Sequence, residues 1–308
     1  MEKVLVVNGH GLGEYCDVKK IPVVGETVKA FNRRFEADAG KGTNVAVAIA
    51  RLGGDAVFIG KAGEDEGGYL GEKWMGEAGV DLTHYFLDAR VATNLGLCII
   101  AEDGSNIILD FDDDANSITI PELTEHMEAC TDAAYLVTGF EIPVETSLYA
   151  ARLGKKMGMK TVLNPSPLEE TAVFEDLSFV DYLMINETEA AILMGDCDMS
   201  GMHMHKIAEE LSSKYRTPNI IITLGADGSI AYTPEGRYSA AAYPAACIDQ
   251  CGAGDGYLAA LVWCLTNGTP LPESMEWASK YAAYIVSHVG TVGIYPTHEQ
   301  LETFWKEG

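Results

Sequence analysis

The sequence lacks any apolar run approaching the roughly 20 residues that a membrane-spanning helix needs, so no such helix is expected. Cations are scarce: 21 Lys and Arg stand against 46 Asp and Glu, a formal net charge of −25. A surface of that sign repels nucleic acid and anionic membrane, and neither is expected as a partner. The seven cysteines (Cys16, Cys98, Cys130, Cys197, Cys247, Cys251, Cys264) contain no C-x-x-C pair. An odd, scattered set argues against a disulfide framework and fits reduced thiols in a cytoplasm. The opening "MEKVLVVNGHG" reads as a strand and lacks the long apolar segment of a secretory signal. Phosphate loops of the G-x-x-x-x-G-K-[ST] type are missing. "NGHGLG" (8–13) supplies Gly9 and Gly11, but Glu14 stands where the third glycine of a dinucleotide-binding fingerprint belongs. His203 and His205 in "MHMH" are too close for an i, i+4 metal pair, and read as a solvated helix start.

What is present is alternation. Short apolar runs at 3–7, 56–60, 133–139, 160–164, 181–186 and 220–225 look like strands buried on both faces. Helical patterns separate them, at 43–52, 67–78, 122–129, 145–157, 187–194 and 203–214, and two more near 254–267 and 272–289 close the chain. This order means an α/β fold with a mostly parallel central sheet. The segments 25–40 and 93–114 break the pattern, the second reading as a hairpin that turns at Asp103-Gly104. They suggest a small antiparallel lid, about 10–38 and 93–114, on a single domain that spans 1–308. Ligands bind at strand C-termini in such sheets, where a lid can close over them.

Four stretches carry candidate chemistry. In "IDQCGAGDGYLAAL" (248–261) a glycine turn opens an apolar helix, and helix N-termini bind anions. Asp255 there reads either as a first-turn acid complementing the dipole or as a base beside a bound phosphoryl group. Cys251 reads as a small packed filler. In "AGKGTNVAVAIARLGG" (39–54), Gly40 and Gly42 bracket Lys41 before a helix that carries Asn44; this is a loop before a core helix or a polar substrate site. In "NETEAAIL" (186–193), Asn186 and Glu189 form a capping box or reach a hydrated Mg²⁺. "ITLGADGSI" (222–230) puts Thr223 and Gly225 at the end of a strand, where phosphates commonly sit. "DFDDDAN" (110–116) lacks the Gly and Glu of a calcium loop and reads as an acidic turn or a polar rim of the lid.

Taken in order, these stretches resemble the ribokinase / phosphofructokinase-B family of carbohydrate and nucleoside kinases, nearly end to end from "GETV" (25–28) to "GTVGIYP" (290–296). The resemblance implies a ribokinase-like three-layer α/β/α sandwich, an ATP-dependent sugar kinase and a homodimer formed through the lid. It implies that Asp255 is the base and that Gly252, Ala253 and Gly254 form the anion hole. Gly40, Lys41, Asn44 and Glu141 would hold the sugar. Asn186 and Glu189 would hold Mg²⁺ through water, with Thr223, Gly225, Gly228, Ser287 and His288 along the nucleotide. Asp249 would be a K⁺ ligand. Two departures bear on the substrate. The family's N-x-D sugar clamp falls on Gly11 and Gly13, so it is either replaced by Glu14 or Asp17 or missing, and Gln250 stands where the family has Thr. A nucleoside kinase with Phe31, Phe35 or Phe111 stacked on the base is the alternative, and a sugar-acid kinase using Arg33 or Arg34 is a third.

Overall fold

Successive residues of the first strand, β1 (Lys3–Val7), are buried on opposite sides of a sheet. Val4 and Val6 join one apolar cluster, Leu5 and Val7 the other. That alternation fixes a three-layer arrangement, because a strand buried on both faces needs helices on both. The computed structural model describes residues 2–36, 39–102, 105–111, 113, 116–169, 174, 176–195 and 202–307.

In chain order the strands are β1, β2 (Gly11–Val18), β3 (Phe31–Glu36), β4 (Ala56–Gly63), β5 (Asp81–Asp88), β6 (Asn94–Ala101), β7 (Asn106–Asp110), β8 (Ala133–Gly139), β9 (Lys160–Asn164), β10 (Tyr182–Asn186), β11 (Asn219–Thr223), β12 (Ser229–Thr233) and β13 (Gly236–Ala240). Nine form the main sheet in the order β13-β12-β11-β10-β9-β8-β1-β4-β5. All its pairings are parallel except those of the β11-β12-β13 meander at one edge. One face packs against α1 (Gly40–Arg51), α2 (Glu66–Ala78), α7 (Ala253–Thr266), α8 (Leu271–Val286) and α9 (His298–Glu307). The other carries α3 (Ile120–Glu128), α4 (Val144–Lys156), α5 (Glu187–Met194) and α6 (Met204–Tyr215).

The lid is a four-stranded sheet, β3-β2-β6-β7. Its β2–β3 and β6–β7 pairs are antiparallel, and they meet through a parallel β2–β6 pairing. The turn expected at Asp103-Gly104 and part of "DFDDDAN" lie outside the described residues, while the strands on both sides of the turn pair as a hairpin requires. β5 and α9 were not anticipated. β5 is an edge strand with no continuous buried run, and α9 buries little beyond Leu301.

Gly9 of "NGHGLG" serves packing. A Cβ on Gly42 of α1 would overlap the Gly9 carbonyl, and one on Gly9 would sit 2.7 Å from the Glu141 Cβ. Helix α1 therefore presses on the turn between β1 and β2. Further along, Gly256 on α7 leaves room for Ile285 of α8: a methyl group there would overlap the Ile285 Cδ1 and lie 3.2 Å from the Tyr281 ring. Gly256→Ala is expected to destabilise the fold by about 1–3 kcal/mol through overpacking. Ile285→Val, which removes that Cδ1, should restore most of the loss, measured as the urea midpoint of the double variant against both singles.

Candidate active site

Two helix N-termini converge above the C-terminal ends of β1 and β8. Helix α7 starts after Gly252 (φ 70°) with no side-chain cap, and α1 starts at Gly40 (φ 75°), also without a cap from its own N-cap residue. An uncapped first turn presents N–H groups and the positive end of the dipole. At α1 those groups are met from outside: Glu141, after β8, accepts from the N–H of Lys41 at 2.7 Å and of Gly42 at 3.2 Å. At α7 the turn opens onto a cleft, and a Cβ on Gly254 would touch nothing within 4 Å.

Asp255 lies in the first turn of α7 and is 6% exposed. Asn44 of α1 donates its Nδ2 to the Asp255 Oδ2 at 2.9 Å, and the Lys41 Nζ stands 3.7 Å from Oδ1. The Lys41 ammonium is held well above its ordinary pKa, chiefly by Asp255, against the cost of burial, with Glu141 and Glu189 adding to it. Burial pushes the Glu141 carboxyl from its ordinary 4.5 up to about 8; the Asp255 charge adds to this, and Lys41 with the two N–H donors opposes it. The Asn44 Oδ1, on a side chain 3% exposed, has no hydrogen-bond partner.

The cleft holds about 840 Å³ and is walled by Gly40, Lys41, Asn44, Glu141, Asp249, Cys251, Gly252 and Asp255 below and by the lid above. Cys251 is exposed and lines it, so it is not a buried filler. On the lid side stand Gly11, Gly13, Tyr15, Arg34, Gly96, Cys98 and Ile100. Sequence reasoning did not single out Tyr15, Gly96, Cys98 or Ile100 as lining residues, because only the pairing of β2 with β6 places them together. Glu14 does not join them. It lies between Gly13 and Tyr15 on a strand, which turns it to the opposite face, and Arg33 binds it there. Asp17 accepts from Arg34 and from Asn32, each at 3.0 Å, and is not part of the wall. Phe31, Phe35 and Phe111 are exposed and do not line the cleft.

The remaining candidates follow the strand ends outward. Asn186 caps α5: its Oδ1 accepts the Glu189 N–H at 2.8 Å, and the Glu189 Oε2 accepts the Asn186 N–H at 2.9 Å. Asn186 pairs in register with Thr223, whose hydroxyl donates to the Ile185 carbonyl at 3.4 Å. Gly225 begins a short 3₁₀ turn, and Gly228 (φ 92°) passes so close to the Ala240 carbonyl that no side chain fits. The Ser287 hydroxyl donates to the Tyr284 carbonyl at 2.6 Å, and the His288 ring stacks on Tyr284 at 4.2 Å. Asp249 takes the Cys251 N–H at 2.9 Å on one oxygen and the Gly290 N–H at 3.1 Å on the other. It thus clamps the glycine turn to the loop after α8. Ala253 donates its N–H to the Gln250 carbonyl at 3.3 Å.

A buried acid beside an open helix N-terminus, under a lid and above parallel strand ends, defines an α/β phosphotransferase. Residues 15–298 match the pfkB family of carbohydrate kinases, and the chain belongs to that family. It is a carbohydrate kinase, a phosphotransferase with an alcohol acceptor. A ribokinase of Haemophilus influenzae is 30% identical over 306 residues, 99% of each chain. A bifunctional ribokinase/ribose-5-phosphate isomerase A of Fructilactobacillus sanfranciscensis is 28% identical across 98% of this chain, which spans 56% of that protein's length. The structure of Arabidopsis thaliana ribokinase complexed with ribose and ATP superposes with a TM-score of 0.86 at 23% identity, covering 99% of both chains.

The raised Glu141 pKa has a consequence for stability. Between about pH 4.5 and 8 the folded state holds a proton that the unfolded state has lost, so stability falls as pH rises through that window. Glu141→Gln should remove that loss. Its melting temperature is expected to exceed the parent's at about pH 8.5 and to approach it below about pH 4, where Glu141 is largely protonated in both states. Parallel pH curves would contradict the assignment.

Proposed function

We infer that the chain transfers the γ-phosphoryl group of Mg-ATP to a hydroxyl of a small carbohydrate. The observation that carries this is the placement of Asp255 on the first turn of α7, fixed by Asn44 and flanked by Lys41. The acceptor hydroxyl gives its proton to Asp255 as its oxygen bonds to the γ-phosphorus and the bond from that phosphorus to the ADP oxygen breaks. The backbone N–H groups of Gly252, Gly254 and Asp255, at the uncapped start of α7, stabilise the charge that develops on the transferred group. Gly40, Lys41, Asn44 and Glu141 hold the sugar. Glu141, protonated near neutral pH, can donate to a sugar oxygen while its other oxygen stays on the N–H groups of α1. Asn186, Thr223, Gly225 and Gly228 lie along the phosphates and ribose of the nucleotide, with Ser287 and His288 at the base.

The residues fit a hydrated Mg²⁺, an ion that keeps its waters and takes few protein ligands. Glu189 adds to the negative field of Asp255 on Lys41, an excess that a divalent cation would offset. Bound there, the ion neutralises charge on the β- and γ-phosphate oxygens. Glu189 would hold it through water, while the capping box with Asn186 fixes the carboxylate. Each Asp249 oxygen takes one N–H and keeps a lone pair, so Asp249 remains the group that would hold K⁺.

Edge strands β3 and β7 carry exposed Phe31, Phe35 and Leu109, which supports a homodimer formed through the lid. The described cysteines are free, in keeping with a reducing cytoplasm. No described helix is long and apolar enough to cross a membrane.

Asp255→Asn should lower ADP release in the presence of acceptor by roughly 10² or more, the scale of general-base loss, with ATP affinity retained. Near-normal turnover would overturn the assignment.

A further inference from the structure

We propose that Tyr295 is a positioning residue for the transfer: its hydroxyl holds the glycine turn at the start of α7 in the conformation that presents the N–H groups. The proposal rests on the kinase reading above and deepens it. Helix α7 begins at a residue with no side chain to cap it, Gly252, at φ 70°. Such a start frays, because its leading N–H groups have no partner within the helix and glycine keeps the most backbone freedom. A second glycine, Gly254, follows two positions on. Donors aimed at a developing charge are effective only where they are fixed beforehand. This turn therefore needs a hold from outside the helix.

Tyr295 supplies one. Its hydroxyl donates to the Gly252 carbonyl at 3.2 Å. The same carbonyl accepts the Gly256 N–H at 2.9 Å, the first bond of α7, and its oxygen has a lone pair for each donor. The hydroxyl thus bonds the one backbone group that turn and helix share. Asp249 fixes the chain just before it, through the Cys251 N–H. The peptide between residues 252 and 253 has its N–H on the Gln250 carbonyl at 3.3 Å and its oxygen under Tyr295. The approach is close: a Cβ on Gly252 would lie 2.6 Å from the Tyr295 hydroxyl and 2.9 Å from the Thr291 Cγ2. Glycine is required here by this contact as well as by its φ.

Tyr295 is itself held rigidly. The residue is fully buried, with its ring stacked at 12° on that of Tyr281, also fully buried. Its backbone carbonyl accepts from the Arg51 Nη1 at 2.8 Å, and the same nitrogen donates to the Gly293 carbonyl at 3.1 Å. Arg51 is the last residue of α1, whose opposite end carries Lys41 and Asn44. The loop that bears Tyr295 is therefore referenced to the helix that fixes Asp255, and the turn is referenced to that loop.

The test compares two variants of the full chain. Tyr295→Phe deletes the bond to Gly252. Tyr281→Phe deletes a buried hydroxyl of the same kind, donated at 3.2 Å to the Pro296 carbonyl and not to the glycine turn. ADP release from Mg-ATP is measured with D-ribose, 2-deoxy-D-ribose and D-fructose, and the best acceptor of the three is used. Tyr295→Phe should lower kcat about tenfold and leave the acceptor KM within about threefold, the pattern of support lost mainly in the transition state. Tyr281→Phe should keep kcat within about threefold of the parent. By hydrogen exchange, the Gly256 amide should open about tenfold faster in Tyr295→Phe and at the parent's rate in Tyr281→Phe. A merely structural Tyr295 would lower the urea midpoint and leave kcat unchanged. That result, equal kcat losses in the two variants, or an unaltered Gly256 amide in Tyr295→Phe overturns the proposal and leaves the kinase reading standing. A parent inactive with all three sugars counts against the kinase reading, and the exchange measurement alone then decides whether Tyr295 holds the turn.

Discussion

The ammonium of Lys41, set between the carboxylates of Asp255 and Glu141, ties the two halves of the site together. Each carboxylate also belongs to a helix start: Asp255 stands in the first turn of α7, and Glu141 caps α1 from the loop after β8. Three chain segments far apart in sequence thereby meet on one wall of the cleft. Removing one partner of a buried pair leaves the other unpaired, which costs far more than the pair contributes. Every other site residue is placed relative to this cluster. Asn44 lies one turn along α1 from Lys41, and the Asp249 clamp holds the turn that brings Gly252 and Asp255 up to it.

The same cluster explains how the lid is anchored. The chain leaves β1 through Asn8 and Gly9, packed hard against Gly42 and Glu141, and enters the lid at Gly11. Buried His10 holds that exit, with Nδ1 on the Thr43 hydroxyl at 2.9 Å and Nε2 on the Gly67 carbonyl at 3.1 Å. Burial lowers its pKa, so the ring works as a neutral donor and acceptor joining α1 to α2. The base of the lid is thus bonded to the helix that carries Lys41 and Asn44.

What could be read in the sequence divides along a physical line. β1, β8 and β9 are legible to the residue, because strands buried on both faces are unbroken apolar runs. Helix α5 is legible too, since its capping box is written in Asn186 and Glu189. Edge strand β5 is half-exposed along its length and has no such run, and α9 is held by the aromatic contacts of Phe304 and Trp305 with Tyr284 and Tyr243, which no local pattern encodes. In the site, residues whose roles come from their own helix start, such as Lys41, Asn44 and Asp255, stand out as glycine-flanked polar residues before apolar runs. The lid floor does not, because Gly13, Gly96, Tyr15 and Cys98 become neighbours only through a pairing between strands some eighty positions apart. For the same reason the acids near the missing clamp were misleading: the strand period sends Glu14 to the opposite face whatever its chemistry.

The charge balance shows why this architecture suits an acidic chain. At a net −25, the molecule repels an anionic nucleotide at long range, and the cleft adds Asp249 and Asp255. Lys41 and Arg34 offer little relief, since each is already paired with an aspartate. Attraction must therefore come from dipoles that no carboxylate cancels. The open first turn at Gly252–Gly254 supplies one, its N–H groups fixed in position before any ligand arrives, so no reorganisation is needed as charge builds on the transferred group. An acidic surface and an uncapped helix start are then compatible: repulsion acts at long range, while the free N–H groups of α7 offer an anion backbone donors in place of side-chain charge.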